Sequence, residues 1–237
     1  MKEHLPCIPH IITLVGLALA VLALMSVFAG DFQMAVRLSL LVLLADRIDG
    51  TLARKLKSRE RYPGTSGEIL DIITDIIGLT FVPMILFWHS GLFVAGTGAV
   101  LAIATTVAAS WKYSRKDGFL THGYSVGAPP IFFSVFLFYF LQLPPIYPTI
   151  YTAILVLLVI SPIKYPITSL VTTHWKPGYK SITNYLTAIF FVPVFLMLER
   201  TPSPIFWVML AAIGTQLFIY PVLLSIRVIK PVFDRNA

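Results

Sequence analysis

Charge is what this sequence has least of. Only 12% of its 237 residues are charged, about half the roughly 25% of a typical soluble domain. With 57% hydrophobic residues and a mean hydropathy of +0.83, that shortage excludes a soluble globular enzyme and points to an integral membrane protein built of helices. Cysteine is down to Cys7 alone, which rules out an internal disulfide. Low-complexity tracts are missing, and so is any convincing internal repeat, so a transporter built on inverted repeats has little support. The five histidines include no pair at zinc-ligand spacing. Acids are scarcer than bases, and the formal net charge of +7 invites a nucleic-acid reading. That reading fails, because the bases lie in loops between apolar spans rather than on a soluble basic face. No nucleic-acid partner is expected.

What the sequence does contain is apolar runs of helix length. Spans at about 10–29, 33–56, 68–89, 91–112, 126–143, 148–165, 183–198 and 204–227 approach the roughly 20 residues that cross a bilayer. The expected fold is all-α: a polytopic membrane helical bundle of about eight transmembrane helices, with residues 1–237 forming a single integral membrane catalytic domain. The second span is apolar only in its first half, so its polar second half is expected to emerge from the membrane as a helix. The first span is expected to be retained rather than cleaved as a signal peptide, since its apolar run is long and its leading charge weak.

Lys55, Lys57, Arg59 and Arg61 follow the second span, Lys112, Arg115 and Lys116 the fourth, and Lys164, Lys176 and Lys180 the sixth. Arg227, Lys230 and Arg235 lie in the tail, whereas the other side holds only Arg37 and Arg200. By the positive-inside rule this asymmetry predicts a multi-pass protein of the inner (cytoplasmic) membrane with both termini in the cytoplasm. Outer connections such as Gly30-Asp31, Ser90-Gly91 and Leu143-Pro144-Pro145 are short and predict tight helical hairpins.

Against this apolar background, the acids between Asp46 and Asp75 stand out. Each Asp at the centre of a membrane helix costs roughly 2.5–3.5 kcal/mol. Asp46 and Asp49 are three apart, and Asp71 and Asp75 four apart, so each pair shares a helix face. Two helices facing each other could present four carboxylates to one point, a hard-oxygen environment suited to Mg²⁺ or Mn²⁺ together with substrate phosphates. Gly50 and Ala53 leave room for a ligand near the backbone, and Arg54 offers a fork of donors suited to phosphate. The simpler alternative is a structural ion-pair network with Arg47 and Arg54, but four acids exceed two arginines and such pairing has no need of Gly50 and Ala53.

Asp46-x2-Asp49-Gly50-x2-Ala53-Arg54, a spacer, then Gly67-x3-Asp71-x3-Asp75 resembles the signature of the CDP-alcohol phosphatidyltransferases, with every signature position filled. The twelve-residue spacer, residues 55–66, is longer than in most members and resembles that of bacterial phosphatidylcholine synthases. The resemblance implies displacement of CMP from CDP-diacylglycerol by an acceptor alcohol, with two Mn²⁺ or Mg²⁺ ions. It implies Asp46, Asp49 and Asp71 as ligands of the first metal, and Asp71 with Asp75 as the pair serving the second. Asp75 also matches the general base. Asp46, Asp49, Gly50, Ala53, Arg54 and Gly67 match the nucleotide-binding positions. The active site is then expected near the cytoplasmic face, in contact with membrane lipid, and the family resemblance suggests a homodimer.

The acceptor is read as choline, with serine, inositol or glycerol phosphate as alternatives. Glu68 shares a face with Asp71 and Asp75 and could attract a cation, although an acid is equally at home in a first helical turn. A quaternary ammonium is usually held against aromatic faces. Trp111, Tyr124 and Tyr165 are candidates, each of which also suits an interfacial aromatic belt. Lys112 could bind lipid phosphate or serve only as an orientation signal. Two other functions compete: an intramembrane prenyltransferase, whose acidic motifs lie far apart in sequence, and an ion-coupled transporter, which calls for repeat symmetry.

Overall fold

The computed structural model describes residues 7–56, 66–115, 124–128, 130, 132–166 and 207. It divides into two compact units, Met1–Thr106 and Val107–Ala237. The seventh expected span and all of the eighth but residue 207 lie outside the described residues.

The first unit is a stack of apolar helices. Helix α1 (Ile8–Phe28) carries Pro9 in its first turn, where a missing N–H costs nothing. Its buried positions are Pro9, Thr13, Gly16, Ala20, Ala23 and Val27, a stripe of mostly small residues at alternating spacings of three and four. Stripes of this kind let helix backbones approach closely in a membrane, where packing rather than water exclusion drives association. The helix stops where Gly30 takes φ +77°. The Gly30 and Asp31 amides return to the Val27 and Ser26 carbonyls, the Schellman arrangement that satisfies a helix end. Asp31 Oδ1 then accepts from the Met34 amide at 3.0 Å and caps helix α2 (Phe32–Leu56). One residue stops α1 and the next starts α2, as the short Gly30-Asp31 connection predicts.

Helix α2 runs unbroken from its apolar half through Asp46 and Asp49 to Leu56, in agreement with the sequence expectation. After the spacer, Ser66 caps helix α3 (Gly67–Thr74) by accepting from the Ile69 amide at 3.3 Å. A π-helical stretch, Asp75–Phe81, follows, and helix α4 (Val82–His89) completes the span. Pro83 supplies a reason for the wide turn. Its ring would crowd the carbonyl four residues back, and it has no N–H to donate, so the backbone just ahead of it relaxes to five-residue spacing. The Val82 amide accordingly reaches the Ile77 carbonyl. Segments of this type are common at functional sites, and this one begins at Asp75. The composite Gly67–His89 and α1 are long and apolar enough to cross a membrane. Ala20, Ala23, Val42 and Val82 form a core between these helices.

Helix α5 (Gly98–Ser114) begins later than the expected span at 91, because Gly91 and Gly96 adopt positive φ and hold residues 91–97 out of the helix.

The second unit corrects the sequence expectation in one place: the described residues of 126–143 do not form one continuous helical span. Strand β1 (Tyr124–Val126) pairs antiparallel with β2 (Lys164–Pro166). A 3₁₀ turn (Phe132–Val135) then leads into the short helix α6 (Phe136–Leu141), and α7 (Ile146–Ile160) precedes β2. The physical reason lies in Gly127-Ala128-Pro129-Pro130: Gly127 sits at φ +81°, and two prolines in succession offer no amide donors to a helix. A side chain at Gly127 would also strike the Val159 carbonyl oxygen, 2.2 Å from the ideal Cβ position. Gln142 closes α6 in the left-handed region, φ 52°, ahead of Pro144-Pro145.

Gly78 makes the tightest demand on the α1–α2 core. An ideal Cβ there would lie 2.7 Å from Val42 Cγ1 and 3.4 Å from Ala20 Cβ. Overpacking of such a position costs roughly 1–3 kcal/mol, so Gly78→Val is expected to lower the thermal unfolding midpoint in detergent. An unchanged midpoint would show that this contact does not limit the packing.

Candidate functional site

Three of the four motif carboxylates converge. Asp46 and Asp49 project from α2 and Asp71 from α3, and one oxygen of each lies within 4.8 Å of the others. Asp46 is half-buried, Asp49 is 3% exposed and Asp71 is exposed, so the group grades from interior to surface. This set of hard oxygen donors is the kind that Mg²⁺ and Mn²⁺ take, and these residues fit such an ion. Asp75 lies one turn after Asp71, where α3 gives way to π-helical backbone. It is half-buried, with Oδ1 enclosed, and is not one of the three grouped carboxylates.

Gly50 and Ala53 follow Asp49 on α2 and are half-buried. The side chain of Arg54 and the spacer residues 57–65 lie outside the described residues. Glu68 is exposed in the first turn of α3, where an acid is favoured by the helix dipole.

The sequence reading passed over the contribution of α1. The Thr13 hydroxyl is buried and donates to Asp49 Oδ2, and it also lies 3.0 Å from the Pro9 carbonyl oxygen. One turn earlier, the His10 ring lies against Gly67, whose ideal Cβ position is 2.6 Å from His10 Cε1. One turn later, Gly16 stands between the two motif helices, with its ideal Cβ 3.4 Å from Ala45 Cβ and 3.7 Å from Thr74 Cγ2. His10, Thr13 and Gly16 are three apart, so one face of α1 walls the acidic site. A signal was available: Thr13 is a hydroxyl in line with the small-residue stripe Gly16, Ala20, Ala23 and Val27.

The aromatic candidates belong to the second unit. Tyr124 and Tyr165 enter the same ladder, with Tyr124 opposite Pro166 and Tyr165 opposite Ser125. Tyr165 is 2% exposed, whereas Trp111 is 57% exposed, as suits an interfacial residue. Lys112 is 1% exposed, and its ammonium donates to the Val126 carbonyl and, at 2.7 Å, to the Gly127 carbonyl. It therefore ties the 126–127 backbone to α5, a use that neither sequence reading of this residue anticipates.

Comparison with known proteins agrees with the motif. The chain is 33% identical over 122 residues to a phosphatidylcholine synthase of Borreliella burgdorferi, covering 52% of each chain. It is 27% identical over 154 residues to a phosphatidylcholine synthase of Bradyrhizobium diazoefficiens, covering 65% of this chain and 58% of the relative. These matches span little more than half of each relative's length. A match to a phosphatidylcholine synthase of Rhizobium meliloti reaches 213 residues at 25% identity, covering 89% of this chain and 86% of the relative. Residues 6–168, well over half of the chain, match the family described as CDP-alcohol phosphatidyltransferase. With its two-part acidic motif folded onto adjoining apolar helices, this protein belongs to the CDP-alcohol phosphatidyltransferase family, whose members are helical membrane proteins that use a divalent metal.

Proposed function

We propose that this protein transfers the phosphatidyl group of CDP-diacylglycerol to choline, releasing CMP and forming phosphatidylcholine. The observation that carries the reading is the convergence of Asp46, Asp49 and Asp71 from both halves of the motif to within 4.8 Å, in a chain whose relatives are phosphatidylcholine synthases.

In this reading Asp46, Asp49 and Asp71 hold one divalent ion, and Asp71 with Asp75 serves a second. Such ions, when bound, neutralise the pyrophosphate and the charge that builds on the leaving phosphate. Gly50 and Ala53 keep the backbone clear for the nucleotide, alongside Asp46, Asp49 and the motif residue Gly67, and Arg54 supplies donors to phosphate. The choline hydroxyl oxygen attacks the phosphorus that carries the diacylglycerol. A bond forms between them, the bond from that phosphorus to the oxygen of CMP breaks, and the hydroxyl proton passes to the Asp75 carboxylate. Asp75 suits the role by position, one turn beyond the grouped acids at the onset of the π-helical segment. Glu68, exposed beside Asp71, adds negative potential toward a cationic acceptor, and Trp111, Tyr124 and Tyr165 are the aromatic candidates for its quaternary ammonium.

The basic residues flanking the apolar spans support an inner-membrane location with the acidic site near the cytoplasmic face. A nucleotide head from water and a lipid tail from the leaflet can meet there. The reading takes residues 1–237 as one catalytic domain and the working form as a homodimer. Family membership leaves the prenyltransferase and transporter readings without support.

The purified protein, supplied with CDP-diacylglycerol and Mn²⁺, is expected to release CMP when given choline and to make phosphatidylcholine. EDTA is expected to stop the reaction and added Mn²⁺ to restore it. Turnover with serine, inositol or glycerol phosphate but not choline would reassign the acceptor; CMP release that persists in EDTA would overturn the metal reading. Asp75→Asn is expected to lower kcat by about 10²-fold or more, the usual range for loss of a general base, with little change in thermal midpoint. Wild-type turnover in that variant would remove Asp75 as the base.

A further inference from the structure

We propose that Thr13 is a positioning residue for the cation site: its hydroxyl fixes the orientation of the Asp49 carboxylate, making α1 a working part of the site rather than a membrane anchor alone. The inference rests on the metal reading of the acidic group given above.

Four observations support it. First, both partners are buried, Thr13 at 6% and Asp49 at 3% exposure, so water competes poorly for either group. Second, the hydroxyl donates to a carboxyl oxygen of Asp49, and a carboxylate that holds a cation accepts the stronger, charge-assisted class of hydrogen bond. Third, the same hydroxyl lies 3.0 Å from the Pro9 carbonyl oxygen. It has a single proton to give, so it can turn back to its own helix when Asp49 Oδ2 is drawn elsewhere, and neither position strands a buried donor. Fourth, Thr13 is itself held in place. His10 fits against Gly67 one turn before it, and Gly16 fits between Ala45 and Thr74 one turn after it. Packing on both sides therefore sets the height of α1 relative to both motif helices.

A carboxylate can rotate about its last bond, and a three-carboxylate site needs each one aimed. Asp46 and Asp71 are more exposed than Asp49 and can adjust through solvent. Asp49 sits deepest, so its aim must come from protein. Hydrogen-bond partners of ligating groups commonly account for ten- to a hundredfold in metal affinity.

The test is direct Mn²⁺ titration of the purified, detergent-solubilised protein, following the paramagnetic resonance signal of free Mn²⁺, with CMP release measured in parallel. Thr13→Val keeps the shape and removes the hydroxyl; Thr13→Ser keeps the hydroxyl. Thr13→Val is expected to weaken Mn²⁺ binding by about tenfold or more, and Thr13→Ser by no more than about threefold. Excess Mn²⁺ is expected to recover much of the Thr13→Val turnover, whereas a purely structural defect would lower the folded fraction equally at every Mn²⁺ concentration. Should Thr13→Val not yield folded protein, Thr13→Ala, a better helix former, carries the same titration. Wild-type affinity in the Val or Ala variant overturns the proposal, as does a Ser variant as weak as Val. Failure of the wild-type protein itself to bind Mn²⁺ is a different result, and overturns the metal reading on which the proposal stands.

Discussion

The structure of the first unit turns on the difficulty of keeping several carboxylates together at the end of apolar helices. Three acidic side chains whose oxygens lie within 4.8 Å of one another repel by roughly 3–4 kcal/mol per pair at an effective dielectric of about 20. Taking Asp49 and, in part, Asp46 out of water adds to the cost. A chain that is only 12% charged and yet groups its acids in this way has adopted an arrangement that calls for positive charge. Divalent cations answer that need, and the family to which the chain belongs uses them.

Close helix packing makes the convergence possible. Between membrane helices, association depends on backbones coming near enough for van der Waals contact. Gly16 sits between Ala45 and Thr74, and Gly78 lies against Val42 and Ala20. The small-residue stripe of α1 thus draws α2 and α3 together, and the acids they carry follow. The same stripe carries Thr13 to Asp49. Packing and site share one surface, so α1 contributes to the acidic group although it contains no acid of its own. The π-helical turn at Asp75 adds a second adjustment: it widens the backbone ahead of Pro83 and so sets the rotation of Asp75 relative to the apolar half of its span.

The grading of burial across the site suits the reaction proposed above, which joins unlike partners. Asp49 is enclosed while Asp71 is exposed, so one side of the group is held by protein and the other lies at the surface. The proposed donor, a nucleotide-activated lipid, has the same division, with an apolar tail that stays in the leaflet and a charged head that is gripped where water begins.

Much of this was legible in the sequence, for local reasons. The apolar runs determined α1, α2 and the composite third span, because hydrophobic length alone sets what can cross a bilayer. Gly30-Asp31 determined the first hairpin, since only glycine enters the left-handed turn cheaply and aspartate caps the next helix. The motif spacing determined which acids share a helix face, through the 3.6-residue repeat. Tertiary structure decided the remainder. Residues 126–143 read as a span by hydropathy, but a positive-φ glycine and the strand pairing of 124–126 with 164–166 made them something else. Lys112 read as a loop charge, and backbone carbonyls brought close by that pairing claimed it. Thr13 and His10 were unremarkable in sequence because their partners, Asp49 and Gly67, lie 36 and 57 residues away. A contact of that range depends on how whole helices dock, which no local pattern encodes.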